Sequence, residues 1–159
     1  MMDSHEAPRF IEILLVEDNK DDVELTQLAF ESAHVLNALH VARDGVEALH
    51  YLRREGPFAE APRPDIILLD LNMPRMDGRE LLTILKADDD FRRIPVVVLT
   101  TSYSENDVLQ GYVMHANSYL TKPVRFSDFL QCARRIADYW FALVKLPPHQ
   151  KGAQNAVAP

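Results

Sequence analysis

Short runs of branched aliphatic residues alternate along this chain with amphipathic stretches of helical length, and that alternation is the strongest constraint on what it can fold into. The runs are Ile11–Val16, Ala38–Ala42, Ile66–Leu69, Val96–Leu99 and Ser118–Leu120. Most are nearly unbroken Val, Ile and Leu, the pattern of parallel strands buried on both faces. The second is mixed in polarity around His40, as expected near a sheet edge. Between and after them lie helical segments at Lys20–His34, Gly45–Glu55, Asp77–Ala87, Ser104–His115 and Ser127–Val144. Asn19 is a good capping residue for the first, with Asp21 and Asp22 in its first turn, and Ser127 is the expected cap of the last. Strict strand–helix alternation predicts an α/β fold, a single doubly wound parallel sheet with right-handed crossovers.

Two segments fall outside the alternation. Gly56–Pro64 carries Pro57, Pro62 and Pro64, which suit neither a helix interior nor a central strand, so a long connection is expected. Lys145–Pro159 starts on Pro147 and Pro148 and reads as a flexible tail. The expected organisation is an N-terminal tail over 1–9, one domain over 10–145 and a C-terminal tail over 146–159. No output domain is expected.

Composition excludes several classes. The 159 residues are 47% hydrophobic and 26% charged, ordinary for a globular chain and unlike a disordered one. No apolar run reaches the ~18 residues of a membrane span, and MMDSHEAPRF lacks the basic and apolar regions of a secretory signal. With 17 Lys and Arg against 24 Asp and Glu, the net charge of −7 argues against nucleic acid as a partner. The single Cys, Cys132, forms no internal disulfide and points to a cytoplasmic setting. The His residues show no metal-ligand spacing.

In doubly wound sheets, chemistry collects outside the carboxyl ends of the strands. Here those ends carry Glu17 and Asp18, then Asp70, then Thr100, Thr101 and Ser102, then Lys122 and Pro123. Three carboxylates aimed at one rim repel each other and call for a cation. Oxygen donors alone suit Mg2+ rather than zinc. The added amine and hydroxyl fit a phosphoryl group, whose charge the metal and Lys122 offset.

These residues carry a resemblance. LLVEDN (14–19), IILLDLNMPRMDG (66–78), VVVLTTS (96–102) and YLTKP (119–123) resemble, in order and spacing, the receiver domain of two-component response regulators, over roughly residues 10–144. The resemblance implies a flavodoxin-like (βα)5 domain with strand order 2-1-3-4-5. It implies that Asp70 accepts a phosphoryl group from a phosphohistidine on a sensor histidine kinase. Asp18, Asp70 and the backbone carbonyl of Asn72 would ligate Mg2+, with Glu17 acting through metal-bound water. Thr100 would be the switch hydroxyl, Tyr119 the aromatic that moves with it, and Lys122 the partner of the phosphoryl oxygens. Pro123 would be a cis proline that aims Lys122. Asn72 and Ser102 would tune the lifetime of the phosphoryl group. His115 stands where the family usually has Gly, in a turn that a left-handed residue suits.

The last helical segment is apolar through more than one face, at Tyr139, Trp140, Phe141, Leu143 and Val144. The extra face either covers a neighbouring loop, such as the proline-rich one, or forms a homodimer contact. The aromatics favour the dimer. This ending and the proline-rich loop resemble a subgroup of single-domain receivers that work with bacterial and cyanobacterial phytochrome histidine kinases. Signalling would then pass by a conformational switch or by onward phosphotransfer to a downstream protein, with no turnover of a separate substrate. Two other readings stay open. One is a Mg2+-dependent phosphohydrolase with an Asp nucleophile, against which stands Glu17-Asp18-Asn19 where the haloacid dehalogenase type has D-x-D. The other is an interaction module of the same fold that carries no phosphate.

Overall fold

Five parallel strands form one sheet in the order β2-β1-β3-β4-β5. They are β1 (Ile11–Val16), β2 (Asn37–Ala42), β3 (Ile66–Asp70), β4 (Val96–Thr100) and β5 (Ser118–Thr121). The helices are α1 (Lys20–Glu31), α2 (Gly45–Leu52), α3 (Gly78–Ala87) and α4 (Phe126–Val144). This is a computed structural model that describes residues 11–32, 36–71, 73, 75–100, 118–121 and 126–144; the side chains of Thr100, 118–121, Cys132 and 139–144 are outside that description. The helix expected at Ser104–His115, the turn at His115 and both expected tails lie outside the described residues.

Side chains alternate across the strands and feed two cores. Ile11, Ile13, Leu15, Ile66, Leu68, Val97 and Leu99 pack with Ala29 and Phe30 of α1 and Phe129, Ala133, Ile136 and Ala137 of α4. Leu14, Val16, Ile67, Leu69, Val96 and Val98 pack with Ala48, Leu49 and Tyr51 of α2 and Leu81, Leu82 and Leu85 of α3. All of β3 is buried, as a central strand must be, whereas most of β2 is half-buried. Each fully buried Leu or Ile contributes about 1.5–3 kcal/mol, and among the strands such residues are concentrated in β1 and β3. Phe58 and Ala61 of the proline-rich connection pack in the second core, and the buried side chains of α4 in the first. The connection is thus covered by α2, where the Phe58 and Tyr51 rings lie 5.5 Å apart, and not by this part of α4.

Several boundaries differ from the expected ones. Asn19 caps α1 as expected, accepting from Asp22 N at 3.0 Å, but the helix stops at Glu31, short of His34. There Asn37 of β2 donates its side-chain amide to Phe30 O at 3.0 Å and satisfies a terminal carbonyl. Helix α2 stops at Leu52 rather than Glu55, because Arg54 is left-handed at φ 57°. Glu55 N donates to His50 O and Arg54 N to Tyr51 O, the paired bonds of a Schellman turn. Gly56–Phe58 then forms a short 3-10 turn around Pro57. Helix α3 starts at Gly78 with Asp77 as its cap, in a reciprocal box with Glu80. Helix α4 starts at Phe126, so Ser127 is a first-turn residue and not the cap. A serine suits either place, and residue type alone locates a helix start only to within a residue or so.

Candidate functional site

The order β2-β1-β3 reverses direction at β1, and the crevice beyond the carboxyl ends of β1 and β3 is the switch point of the sheet. Val16 pairs with Leu69, so the residues next in line, Glu17 and Asp70, leave adjacent strands at one level. Glu17, Asp18 and Asp70 each present a carboxylate oxygen within 4.8 Å of the others. Glu17 is 2% exposed and Asp70 5%, whereas Asp18 faces solvent. Glu17 N donates to Ala42 O at 2.9 Å, and its Oε2 accepts from Asn19 N at 3.1 Å. The end of β2 therefore holds the Glu17 main chain, and the cap residue of α1 holds its carboxylate.

Three carboxylates this close, two of them buried, raise each other's free energy when ionised. A divalent cation removes that penalty, and the donor set is the all-oxygen kind that hard cations prefer. The residues present fit such an ion. The open side at Asp18 is where a further ligand would enter.

The remaining expected site residues are reached in part. Asp70 pairs with Leu99, so Thr100 ends β4 one residue beyond Asp70's partner. Thr100 in turn pairs with Thr121, which precedes Lys122 in sequence, and Val98 pairs with Tyr119. The backbones of Thr100 and Tyr119 are thus at the expected strands, and their side chains lie outside the described residues. Asn72, Ser102, Lys122 and Pro123 also lie outside them, as do the side chains of Tyr139, Trp140 and Phe141 on α4.

The structure adds residues that sequence reading passed over. Gly78 N donates to Leu71 O at 3.0 Å, and a Cβ at Gly78 would collide with the carbonyl oxygen of Asp70. Only glycine lets α3 start this close to the strand end that carries Asp70. Gly45 N donates to Met76 O at 2.9 Å, and a Cβ at Gly45 would lie 2.6 Å from Met76 Cγ. Arg75, left-handed at φ 59°, donates from Nε to Asp44 Oδ2 at 2.6 Å. The other Asp44 oxygen, Oδ1, caps α2 by accepting from Glu47 N at 2.9 Å. Burial alone would push the Asp44 carboxyl up; the Arg75 guanidinium and the Glu47 amide outweigh it and hold the group below the usual carboxylate range. A signal was present in the sequence, since α2 and α3 both open on Asp-Gly, at 44–45 and 77–78.

Comparison with known proteins agrees with this geometry. Residues 13–134 match the response regulator receiver domain family. Response regulator Rcp1 of Synechocystis sp. is 43% identical over 147 residues, 92% of this chain and 99% of that protein. Among solved structures, the phosphorylated cyanobacterial phytochrome response regulator RcpA is similar with a TM-score of 0.80 and 46% identity, over 87% of this chain and 99% of that one. The Mn2+-bound form of Rcp1 is similar with a TM-score of 0.74 and 44% identity, over 81% of this chain and 93% of that one.

Proposed function

The chain belongs to the response regulator receiver family, and from that premise we propose that Asp70 accepts a phosphoryl group from a sensor histidine kinase. The observation that carries the proposal is the trio of Glu17, Asp18 and Asp70 within 4.8 Å at the switch point of the sheet. An Asp70 oxygen attacks phosphorus in the partner's phosphohistidine. The phosphorus–nitrogen bond breaks, and the imidazole leaves with that electron pair and takes up a proton. Asp18, Asp70 and the Asn72 carbonyl would hold a divalent cation, Mg2+ in this proposal, with Glu17 acting through water, and the ion would supply positive charge against the phosphoryl oxygens. Lys122 pairs with the phosphoryl oxygens, aimed by the turn at Pro123, and the Thr100 hydroxyl donates to one of them. Tyr119 follows Thr100, which passes the change to the surface. Asn72 and Ser102 set how readily water reaches the acyl phosphate.

The protein then catalyses only its own modification and its loss. Its signal passes by altered contacts or onward phosphotransfer, from a receiver unit over 10–145 flanked by tails. We place it in the cytoplasm, as a homodimer through Tyr139, Trp140 and Phe141. No described helix is long and apolar enough to cross a membrane. Similarity to RcpA and Rcp1 supports a phytochrome-type kinase as the donor.

Incubation with acetyl phosphate and Mg2+, followed by intact mass, tests the reading. The wild type gains one phosphoryl group and Asp70→Asn gains none. An unlabelled wild type returns the interaction module, and sustained hydrolysis of a generic phosphate ester returns the phosphohydrolase. Phosphotransfer profiling against purified histidine kinases, a phytochrome type among them, identifies the donor.

A further inference from the structure

The chain leaving Asp70 is stapled to the chain leaving β2, and Glu17 is bonded to the end of β2 in turn. Leu71, next after Asp70 and fully buried, accepts from Gly78 N at 3.0 Å. Further along, Met76 O accepts from Gly45 N at 2.9 Å, and Arg75 Nε donates to Asp44 Oδ2 at 2.6 Å. Asp44 lies two residues past Ala42, whose carbonyl accepts from Glu17 N at 2.9 Å. The main chain of one trio residue, Glu17, is therefore tied through Ala42, Asp44 and Arg75 to the segment that follows another, Asp70.

Arg75 holds a left-handed backbone, φ 59°, which a long side chain seldom adopts and which persists only where its surroundings over-determine it. Its side chain is 62% exposed, whereas that of Asp44 is 8% exposed. The contact thus places a solvent-side guanidinium on a buried carboxylate, and little else about Arg75 is buried. Mutual repulsion of the trio acts to spread the strand ends. The staple opposes that spreading.

We infer that the Arg75–Asp44 pair is a positioning device that holds Asp70 in range of Glu17 and Asp18, and so sets the affinity of the trio for a divalent cation. The inference rests on the proposed reading in that the trio is a cation site. Groups that orient metal ligands from outside the ligand set typically matter about 10–100-fold in affinity.

The test is Mg2+ titration of the full chain by isothermal calorimetry. Arg75→Gly removes the guanidinium and keeps the left-handed backbone. Asp44→Asn keeps a capping oxygen and removes the charge. Through-space charge alone makes these variants opposite: loss of a cation tightens Mg2+ binding and loss of an anion weakens it. Positioning makes them alike, so both should raise the Mg2+ Kd about tenfold. The double variant should be no weaker than the weaker single variant, the signature of one shared contact. Arg75→Lys should recover most of the loss. In acetyl phosphate labelling, the Mg2+ concentration for half-maximal rate should shift by the same factor, with a smaller change in maximal rate. A wild type that binds Mg2+ beside an Arg75→Gly variant that binds it equally or more tightly overturns the inference alone. A wild type that takes up no Mg2+ overturns the cation-site reading with it.

Discussion

Replacing Gly78 with Ala sets helix propensity against packing, and the structure decides the sign. Ala is the better helical residue by about 0.8–1 kcal/mol in a helix interior, and by less in the first turn, where Gly78 sits. Propensity by itself therefore predicts a small gain. Against it, the new Cβ would collide with Asp70 O and lie 2.7 Å from Leu71 Cα and 3.0 Å from the Asp70 carbonyl carbon. Carbon atoms rest about 3.5–4.0 Å apart, so relief needs roughly 1 Å of backbone movement at the strand end. Every obstructing atom is main chain, held by the Gly78–Leu71 hydrogen bond, so no side chain can rotate away. Overpacking of this kind costs about 1–3 kcal/mol, and against a first-turn gain of roughly 0.5 kcal/mol it leaves a net loss of about 0.5–2.5 kcal/mol. The labelling rate is the sharper readout. Displacing a reacting group by about 1 Å costs on the order of 100-fold. The assay is the initial rate of acetyl phosphate labelling at saturating Mg2+, beside a urea unfolding curve. Gly56→Ala is the control: Gly56 is left-handed at φ 57° with nothing within 4 Å of a Cβ, so this variant should lose stability and label normally. A Gly78→Ala protein that labels within twofold of wild type, with an unfolding midpoint at or above it, would refute the reasoning.

Other outcomes follow from the same structure. The Tyr51 hydroxyl is buried without a hydrogen-bond partner among the described residues, so Tyr51→Phe should be neutral or stabilising by up to ~1 kcal/mol in urea. Burial, and secondarily the Glu12 carboxylate, push the Tyr51 phenol up to about 12 from 10.0, with Arg54 opposing. Between those values the unfolded chain loses its proton first, so this contribution is present below pH 10 and is lost on the order of 2 kcal/mol as pH rises towards 12; Tyr51→Phe should flatten that limb. Asp44 has the opposite sign. Its folded pKa lies below 3.8, so its stabilisation is present above 3.8 and lost as pH falls through the folded value. Asp44→Asn should make the urea midpoint less sensitive to acid in that window, and an unchanged slope counts against the ion pair. Trp140→Glu should give a soluble monomer by light scattering, and an unchanged dimer would remove α4 from the interface.

The strands were legible because burial on both faces leaves a plain record. Every residue of β3 is buried, and Ile66, Ile67, Leu68 and Leu69 announce it. Helix ends were less legible where the stop signal was unusual. A glycine at 54 would have marked the end of α2, but Arg54 takes the left-handed position, and residue type alone does not reveal that. The carboxylates were legible as a set because all three lie at the ends of apolar runs. The Asp-Gly pairs marked two helix starts, but the Arg75–Asp44 contact joins segments 31 residues apart, and the need for glycine at 78 depends on how closely α3 approaches Asp70. Asp44 reads locally as a helix cap, which it is, and only its second oxygen takes part in the staple.

From the amino acids alone came the alternating pattern, the rim of oxygen donors and the family resemblance, because each is written in the order of neighbouring residues. Tertiary structure alone decided that Glu17, Asp18 and Asp70 lie within one ion's reach. It alone decided that Gly78 must have no side chain and that Arg75 meets Asp44 across 31 residues. Distances between remote segments depend on strand register and helix packing, and those are set by the whole core rather than by any local stretch of chain.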